Sequence, residues 1–321
     1  MPISDSYRHS IKIIGGSIMA CTYKMSNFFD DYTIDFQSNN SSLGNGLNGV
    51  VYRTFHNITG DQVAVKFLEK TSRSCEEIRI HLLCLPHENI VEILQVYEDQ
   101  LLANNQIPGK AAGVFFAVVM EAMDKDLFTM VPLSEQDARN ILFQIANALN
   151  HIHLLGIMHC DIKLENILVR QNNEFLQSKL CDFGFATTSA TTKSTQCTPL
   201  YAGPEIVNCI DTAFLHMPSH AYNSKCDVWA LGVTTYIALC GYPPFYSTLD
   251  PRNKTGIPND MRRHIKEGRF SFYPENKWAI ISGSTKQTIC KMLKVAADDR
   301  PSASALLHNE SFFLNVISTA K

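Results

Sequence analysis

Hydrophobic and polar positions along the chain fall into two regimes. Up to about residue 121 the apolar residues come in short runs: residues 50–55 and 62–68 are rich in β-branched and aromatic side chains, which suit a pleated, half-buried surface. Between them Asn57-Ile58-Thr59-Gly60-Asp61 carries turn chemistry, so the pair predicts a hairpin. Residues 74–83 predict a helix and 114–120 a buried strand. From Leu133 onward the apolar spacing turns helical. Ser134 with Asp137 three residues on resembles a capping box, and Ile141, Ile145, Leu149 and Ile152 then share one stripe. Residues 228–239 predict another apolar helix, stopped by Gly241 and Pro243-Pro244. The seam between the strand-rich and helix-rich parts lies near Glu121-Ala122-Met123-Asp124, and ligands favour such seams.

Composition narrows the class. A chain of 321 residues, 45% apolar and 18% charged, can bury a core without staples. A net charge of −3 weighs against bulk electrostatic binding to nucleic acid or an acidic membrane. The longest clean apolar run, residues 114–120, is far short of the roughly 20 residues of a membrane helix. Ten scattered cysteines contain no C-x-x-C pair, so common zinc-ribbon and thioredoxin-like spacings are excluded and reduced cytosolic thiols are expected. The stretch from Ile11 to Cys21 is interrupted by Lys12 and Gly15-Gly16, which reads as an unstructured leader rather than a signal peptide. Residues 1–28 are expected to be a flexible tail and 314–321 a second one.

Four segments carry chemistry. Gly44-Asn45-Gly46-Leu47-Asn48-Gly49-Val50-Val51 fits G-x-G-x-x-G-x-V, and its glycines let backbone pass close over phosphates. A strand rather than a helix follows it, so it reads as a hairpin flap and not a dinucleotide fingerprint. Lys66, in Val63-Ala64-Val65-Lys66, sits on that next strand and can reach α- and β-phosphates if an acid steadies it; Glu77 is the candidate. His159-Cys160-Asp161-Ile162-Lys163-Leu164-Glu165-Asn166 fits H-x-D-x-K-x-x-N, and Asp182-Phe183-Gly184 follows. In that order Asp161 would accept the proton of a substrate hydroxyl, Lys163 would steady the γ-phosphate, and Asn166 with Asp182 would offer Mg²⁺ the hard oxygens it requires.

With these segments in place the chain resembles a eukaryotic protein kinase. Gly203-Pro204-Glu205, Asp227-Val228-Trp229 and Asp299-Arg300-Pro301 complete the frame, and the family pairs Glu205 with Arg300. Glu77-Ile78-Arg79-Ile80-His81, Cys181 to Ala186, and Leu239-Cys240-Gly241-Tyr242-Pro243-Pro244-Phe245 look like the MAP-kinase-activated protein kinases of the calmodulin-kinase group. Ile257-Pro258-Asn259-Asp260-Met261-Arg262-Arg263 and a long insert over residues 99–113 are most similar to the PRAK type. The resemblance implies an α+β, bilobal protein kinase fold: a domain over 29–313, with a small antiparallel-sheet lobe at 29–121, a hinge at 121–124 and a larger helical lobe at 125–313. It implies an ATP slot formed by the glycine loop, Leu43, Val51 and Ala64, with Leu168 as floor and Met120 as gatekeeper. Glu121 and Met123 would bond the adenine through their backbone, and Asp126 stands in for the acid that binds ribose and a substrate arginine, on a hinge one residue shorter than the family's. The expected activity is transfer of the γ-phosphoryl of Mg-ATP to serine or threonine of protein substrates with basic residues upstream. A monomer is expected, in the cytoplasm with the nucleus as a further location, with no nucleic-acid or membrane partner.

Three positions depart from the family. Leu164 replaces a proline, Gly203 an alanine, and Cys160 the arginine that in many kinases receives an activation-loop phosphate; a thiol lacks the paired donors for that task. The expectation is a kinase that does without that phosphate. A binding scaffold on the same fold would have lost Lys66, Asp161, Asn166 or Asp182, and all four are present.

Overall fold

A computed structural model describes residues 22–24, 27–36, 42–46, 49–99, 113–172, 175–215, 221–247 and 256–314. The chain divides into two compact units between Met123 and Asp124, inside the expected hinge. The insert over 99–113 and the tail at 314–321 lie almost wholly outside the described residues.

The first unit is built on a sheet of β1 (Thr22–Lys24), β2 (Tyr32–Thr33), β3 (Ser42–Gly46), β4 (Gly49–His56), β5 (Gln62–Glu69), β6 (Ile93–Asp99) and β7 (Phe115–Glu121), joined by helices α1 (Phe28–Asp31) and α2 (Ser72–Leu83). Spatial order is β1-β6-β7-β5-β4-β2, with β3 on β4; β1 is parallel to β6 and the other pairings are antiparallel. The expected hairpin is β4 and β5, closed by His56 N–H to Asp61 O at 2.9 Å, with Gly60 taking the left-handed conformation (φ 73°). In β5 six consecutive residues are buried because both faces are covered. Val63, Val65 and Phe67 pack with Phe28, Tyr32, Tyr52 and Tyr97, while Leu68 joins Val96, Phe116 and Val118 against Ile78 and Leu82 of α2. The strand period of two puts Lys66 on the α2 side with Leu68. Helix α2 begins at Thr71, whose hydroxyl accepts Ser74 N–H at 3.1 Å while Ser74 Oγ accepts Thr71 N–H at 2.9 Å.

The expected tail boundary at residue 28 is corrected. Phe28 is fully buried, with its ring 5.0–5.5 Å from those of Tyr32, Phe67 and Tyr97, and β1 adds a strand beyond it. Lys24 Nζ and Tyr97 OH both donate to Asp31 Oδ2, at 2.8 and 2.6 Å, and join this entry segment to β6. The segment is too short to show periodicity, so its place is set only by aromatic partners far along the chain. Residues 1–21 lie outside the described residues.

The second unit holds β8 (Lys125–Asp126), α3 (Glu135–Leu154), β9 (Ile167–Asn172), β10 (Phe175–Leu180), α4 (Pro204–Phe214), α5 (Lys225–Cys240), α6 (Asn259–Glu267), α7 (Glu275–Trp278), α8 (Gly283–Met292), α9 (Ala303–Asn309) and α10 (Ser311–Leu314). Ser134 caps α3 as expected, accepting Asp137 N–H at 3.1 Å, and the whole stripe of Ile141, Ile145, Leu149 and Ile152 is buried. The β9–β10 hairpin lies on α3: Gln144 Nε2 donates to Leu176 O and Gln144 Oε1 accepts Ser178 N–H. Helix α5 is buried along nearly its entire length, and a Cβ at Gly232 would stand 2.9 Å from Met292 Cβ of α8, so only glycine allows that approach. Gly241 ends α5 in the left-handed conformation. Arg300 pairs both Nη atoms with Glu205 at 2.6 and 2.8 Å, as the family frame implied, and its remaining donors go to the carbonyls of Lys225, Lys294 and Val295. Among the described residues no helix is long and apolar enough to cross a membrane.

The aromatic cluster yields a first prediction. Phe28→Ala removes a fully buried ring and should lower unfolding free energy by about 3–5 kcal/mol, read from the urea midpoint. A midpoint unchanged from the wild type would show that the entry segment does not belong to the core.

Candidate active site

In the first unit, Lys66 and Glu77 form a buried ion pair, Nζ to Oε1 at 2.6 Å, with side chains 10% and 8% exposed. Burial strengthens the pair and fixes the ammonium in place. Beside it, β3 and β4 close with Gly46 opposite Gly49 and Gly44 opposite Val51. Gly49 is required here because a Cβ would stand 2.6 Å from Phe67 O. Leu43 is exposed and Val50 and Val51 are half-buried; Leu47 and Asn48 lie outside the described residues, as do the side chain of Asn45 and the exposure of Gly46. Ala64 faces Met120 across the sheet, and Val63 faces Glu121. Glu121 N–H donates to Glu92 O at 3.1 Å, and its carboxylate accepts Glu92 N–H at 2.9 Å. Met123 is buried.

In the second unit the catalytic candidates meet around one carboxylate. Asp161 Oδ1 accepts the Thr198 hydroxyl at 2.6 Å; Oδ2 accepts Lys163 Nζ at 2.7 Å and Asn166 Nδ2 at 3.0 Å. Asn166 Nδ2 also donates to Asp161 O, so the amide's donor end is committed and its oxygen is the atom left for a cation. Cys181 N–H donates to Asn166 O at 3.0 Å, which ties the segment carrying Asp182 to the one carrying Asn166. Asp182 has φ 62° and accepts Gly184 N–H at 3.3 Å. An amide oxygen and a carboxylate, both hard donors, fit Mg²⁺. Asp126, in β8, pairs in register with Leu168 of β9 and caps the following turn by accepting Thr129 N–H at 2.9 Å.

The backbone ahead of Asp161 hangs on another buried acid. Asp227 Oδ1 accepts Cys160 N–H at 2.8 Å; Oδ2 accepts His159 N–H and His153 Nε2, each at 2.9 Å. Burial alone would raise the Asp227 carboxyl, but the hydrogen bonds from His153 and from the His159 N–H outweigh it and hold it below the usual carboxylate range. His159 is fully buried; its Nδ1 accepts Asp161 N–H at 3.3 Å and its Nε2 faces Cys181 O at 3.1 Å. One nitrogen must accept and the other must donate, so the ring is neutral with its proton on Nε2. Burial depresses its pKa, against the opposing pull of Asp227, Asp161 and Asp182.

Comparison with known proteins now bears on this arrangement. A family model described as "Protein kinase domain" matches residues 37–313. The chain belongs to the protein kinase domain family. It is similar to MAP kinase-activated protein kinase 5 of Homo sapiens, 35% identical over 301 residues, covering 88% of this chain and 61% of that protein. It is also similar to MAP kinase-activated protein kinase 2 of Homo sapiens (31% over 296 residues, 89% and 67%) and to mak-1 of Caenorhabditis elegans (32% over 280 residues, 84% and 49%). The chain therefore spans only about three-fifths of the length of the MAP kinase-activated protein kinase 5 of human and mouse.

Two positioning residues of this kinase domain were not singled out in the sequence. His153 ends a helix with nothing nearby to mark it, and Asp227 was legible only as part of a motif. Asp227 acts through the backbone N–H groups of His159 and Cys160, and His153 acts through the Asp227 carboxylate, so no local spacing announces either role.

The neutral His159 sets a pH dependence. An unfolded imidazole takes a proton below about 6.5, where the folded ring with its depressed pKa refuses it, so stability falls as pH drops through that value. Asp227 acts at lower pH: its contribution is present above the ordinary carboxylate pKa and is lost as pH falls through the folded one. Urea midpoints should decline between pH 7.5 and 5.5, with a shallower decline in His159→Gln. Identical slopes in the two proteins would contradict the neutral-ring assignment.

Proposed function

We propose that this chain is a serine/threonine protein kinase that transfers the γ-phosphoryl of Mg-ATP to protein hydroxyls in intracellular signalling. The carrying observation is the Asp161 carboxylate, which already accepts a hydroxyl, that of Thr198, at 2.6 Å beside Lys163 and Asn166. A substrate serine placed against the same oxygen would have its proton drawn toward Asp161 as its oxygen forms the bond to the γ-phosphorus and the bond to the departing ADP breaks. Lys66, fixed by Glu77, is assigned to the α- and β-phosphates, and Lys163 to the γ-phosphate. Magnesium, held by Asn166 and Asp182, would neutralise charge on the phosphate oxygens.

Glu165 supports a preference for basic residues upstream of the acceptor. It is exposed, and Tyr201 OH donates to its Oε2 at 3.4 Å, which orients the carboxylate for charge-assisted bonds to a guanidinium. The activation segment is ordered by neutral groups: Thr192 pairs with Tyr222, Tyr222 OH donates to Ser194 O at 3.0 Å, and Thr198 bonds Asp161. These contacts support activity without a loop phosphate. All nine described cysteines are free, as a cytoplasmic or nuclear location would keep them; a tagged protein found secreted would contradict that location.

Unphosphorylated protein, verified by mass spectrometry, should phosphorylate a basic serine peptide from labelled ATP and Mg²⁺. Asp161→Asn should keep ATP binding and lose roughly 10²–10⁴-fold in turnover. Nucleotide binding without transfer in the wild type would indicate a scaffold instead. A peptide array should show arginine enriched upstream of the acceptor; a flat profile there would remove the specificity assignment and leave the reaction standing.

A further inference from the structure

Two thiols meet directly behind the catalytic loop. The sulfurs of Cys160 and Cys226 and a carboxylate oxygen of Asp227 lie within 4.8 Å of one another, and the Cys226 thiol donates to Asp227 Oδ1 at 3.9 Å. Cys160 precedes Asp161; Cys226 sits in the first turn of α5 and is buried, whereas Cys160 is half-buried. Both line a small cavity together with Cys197, Thr198 and Asp161 itself. Cys160 is also held at φ 64°, a conformation that a side chain with a Cβ adopts only under constraint.

We propose that Cys160 and Cys226 form a reversible disulfide that switches off Asp161, with hydrogen peroxide as the oxidant. The Cys160 sulfur attacks the peroxide: an S–O bond forms, the O–O bond breaks, and the leaving hydroxide takes the thiol proton as water. The Cys226 sulfur then attacks Cys160: the S–S bond forms, the S–O bond breaks, and the second oxygen leaves as water with the Cys226 proton. Two electrons pass from the thiol pair to the peroxide. Holding the sulfurs within 4.8 Å of one another makes the second step intramolecular, which offsets the weak nucleophilicity of a buried thiol. The neighbouring Cys160 thiol and then burial hold the Cys226 thiol well above its ordinary pKa, so the second step should quicken as pH rises.

Zinc is the competing occupant of such a pair, and the donor set disfavours it. Asp227 already accepts His153, His159 N–H and Cys160 N–H, leaving two thiols where zinc takes three or four protein ligands. The disulfide would join the residue before Asp161 covalently to α5 and displace the carboxylate from its lysine and asparagine. A misplacement of about 1 Å is enough for roughly 10²-fold in rate, so turnover should fall by about that factor.

The test is peptide mapping of the full chain under non-reducing conditions after graded hydrogen peroxide. This readout needs no kinase activity, so it stands apart from the proposed function; only the consequence for turnover rests on that reading. Expected is a cross-link between the Cys160 and Cys226 peptides, lighter by two hydrogens, reversed by dithiothreitol, formed faster at pH 8.5 than at 7, and retained in Cys197→Ala. In Cys226→Ala, Cys160 should stop at a sulfenic acid trapped by dimedone. Any of three results would overturn the proposal: both thiols still reduced at peroxide levels that oxidise the exposed Cys75 and Cys290, Cys160 bonded to Cys197, or stoichiometric zinc in the purified protein shielding the pair. The wild-type map alone decides if the variants fail to fold. A cross-linked wild type with undiminished turnover would overturn the switch.

Discussion

Everything catalytic in the second unit is referred to the buried carboxylate of Asp227. A charge taken wholly out of water is tolerated only when its lone pairs are filled, and here three donors at 2.8–2.9 Å fill them. Two of those donors are consecutive backbone N–H groups, of His159 and Cys160. The carboxylate thereby fixes the main chain where it turns into Asp161, and it holds Cys160 in the left-handed conformation without a glycine. Asp227 in turn has its position from α5, which cannot shift because Gly232 meets Met292 and Arg300 lies over the Trp229 ring at 4.9 Å. A chain of contacts thus runs from a guanidinium with every donor satisfied, through a buried helix, to the backbone that leads into Asp161.

The first unit solves a different problem with the same device. A lysine on a fully covered strand would lose its charge unless an acid met it, and Glu77 on α2 does so at 2.6 Å. The strand period of two decides which face Lys66 occupies, and packing of Ile78 and Leu82 under the sheet decides where α2 puts Glu77. Ion pairs of this kind stabilise a fold little over apolar residues of equal size; what they add is one defined position for a charge.

Much of this was legible in the sequence because it is written in side-chain chemistry at fixed spacing. The Lys66–Glu77 pair forms as its motifs implied, and the Ser134 cap and the α3 stripe follow from polar and apolar pattern alone. What escaped was what depends on distant partners or on backbone groups. Phe28 has no meaning until Phe67 and Tyr97 surround it, and a three-residue strand such as β1 has too few positions to show a period. Likewise the bonds of the Glu121 N–H and carboxylate to Glu92 appear only once β7 and the segment before β6 are side by side.

The exchange of a guanidinium for the Cys160 thiol has a consequence for how the activation segment is ordered. An arginine at that place would carry a charge and paired donors suited to a phosphate added to the loop. With a thiol there, the segment is held by contacts that require no modification: a backbone pairing of Thr192 with Tyr222 and a threonine hydroxyl on Asp161. Such neutral bonds contribute roughly 0.5–1.5 kcal/mol each, against about 1.5–3 for bonds to charged groups, and of these only the Thr198 contact is of the stronger kind. Order is therefore concentrated next to Asp161, on the same stretch of backbone that carries the Cys160 thiol.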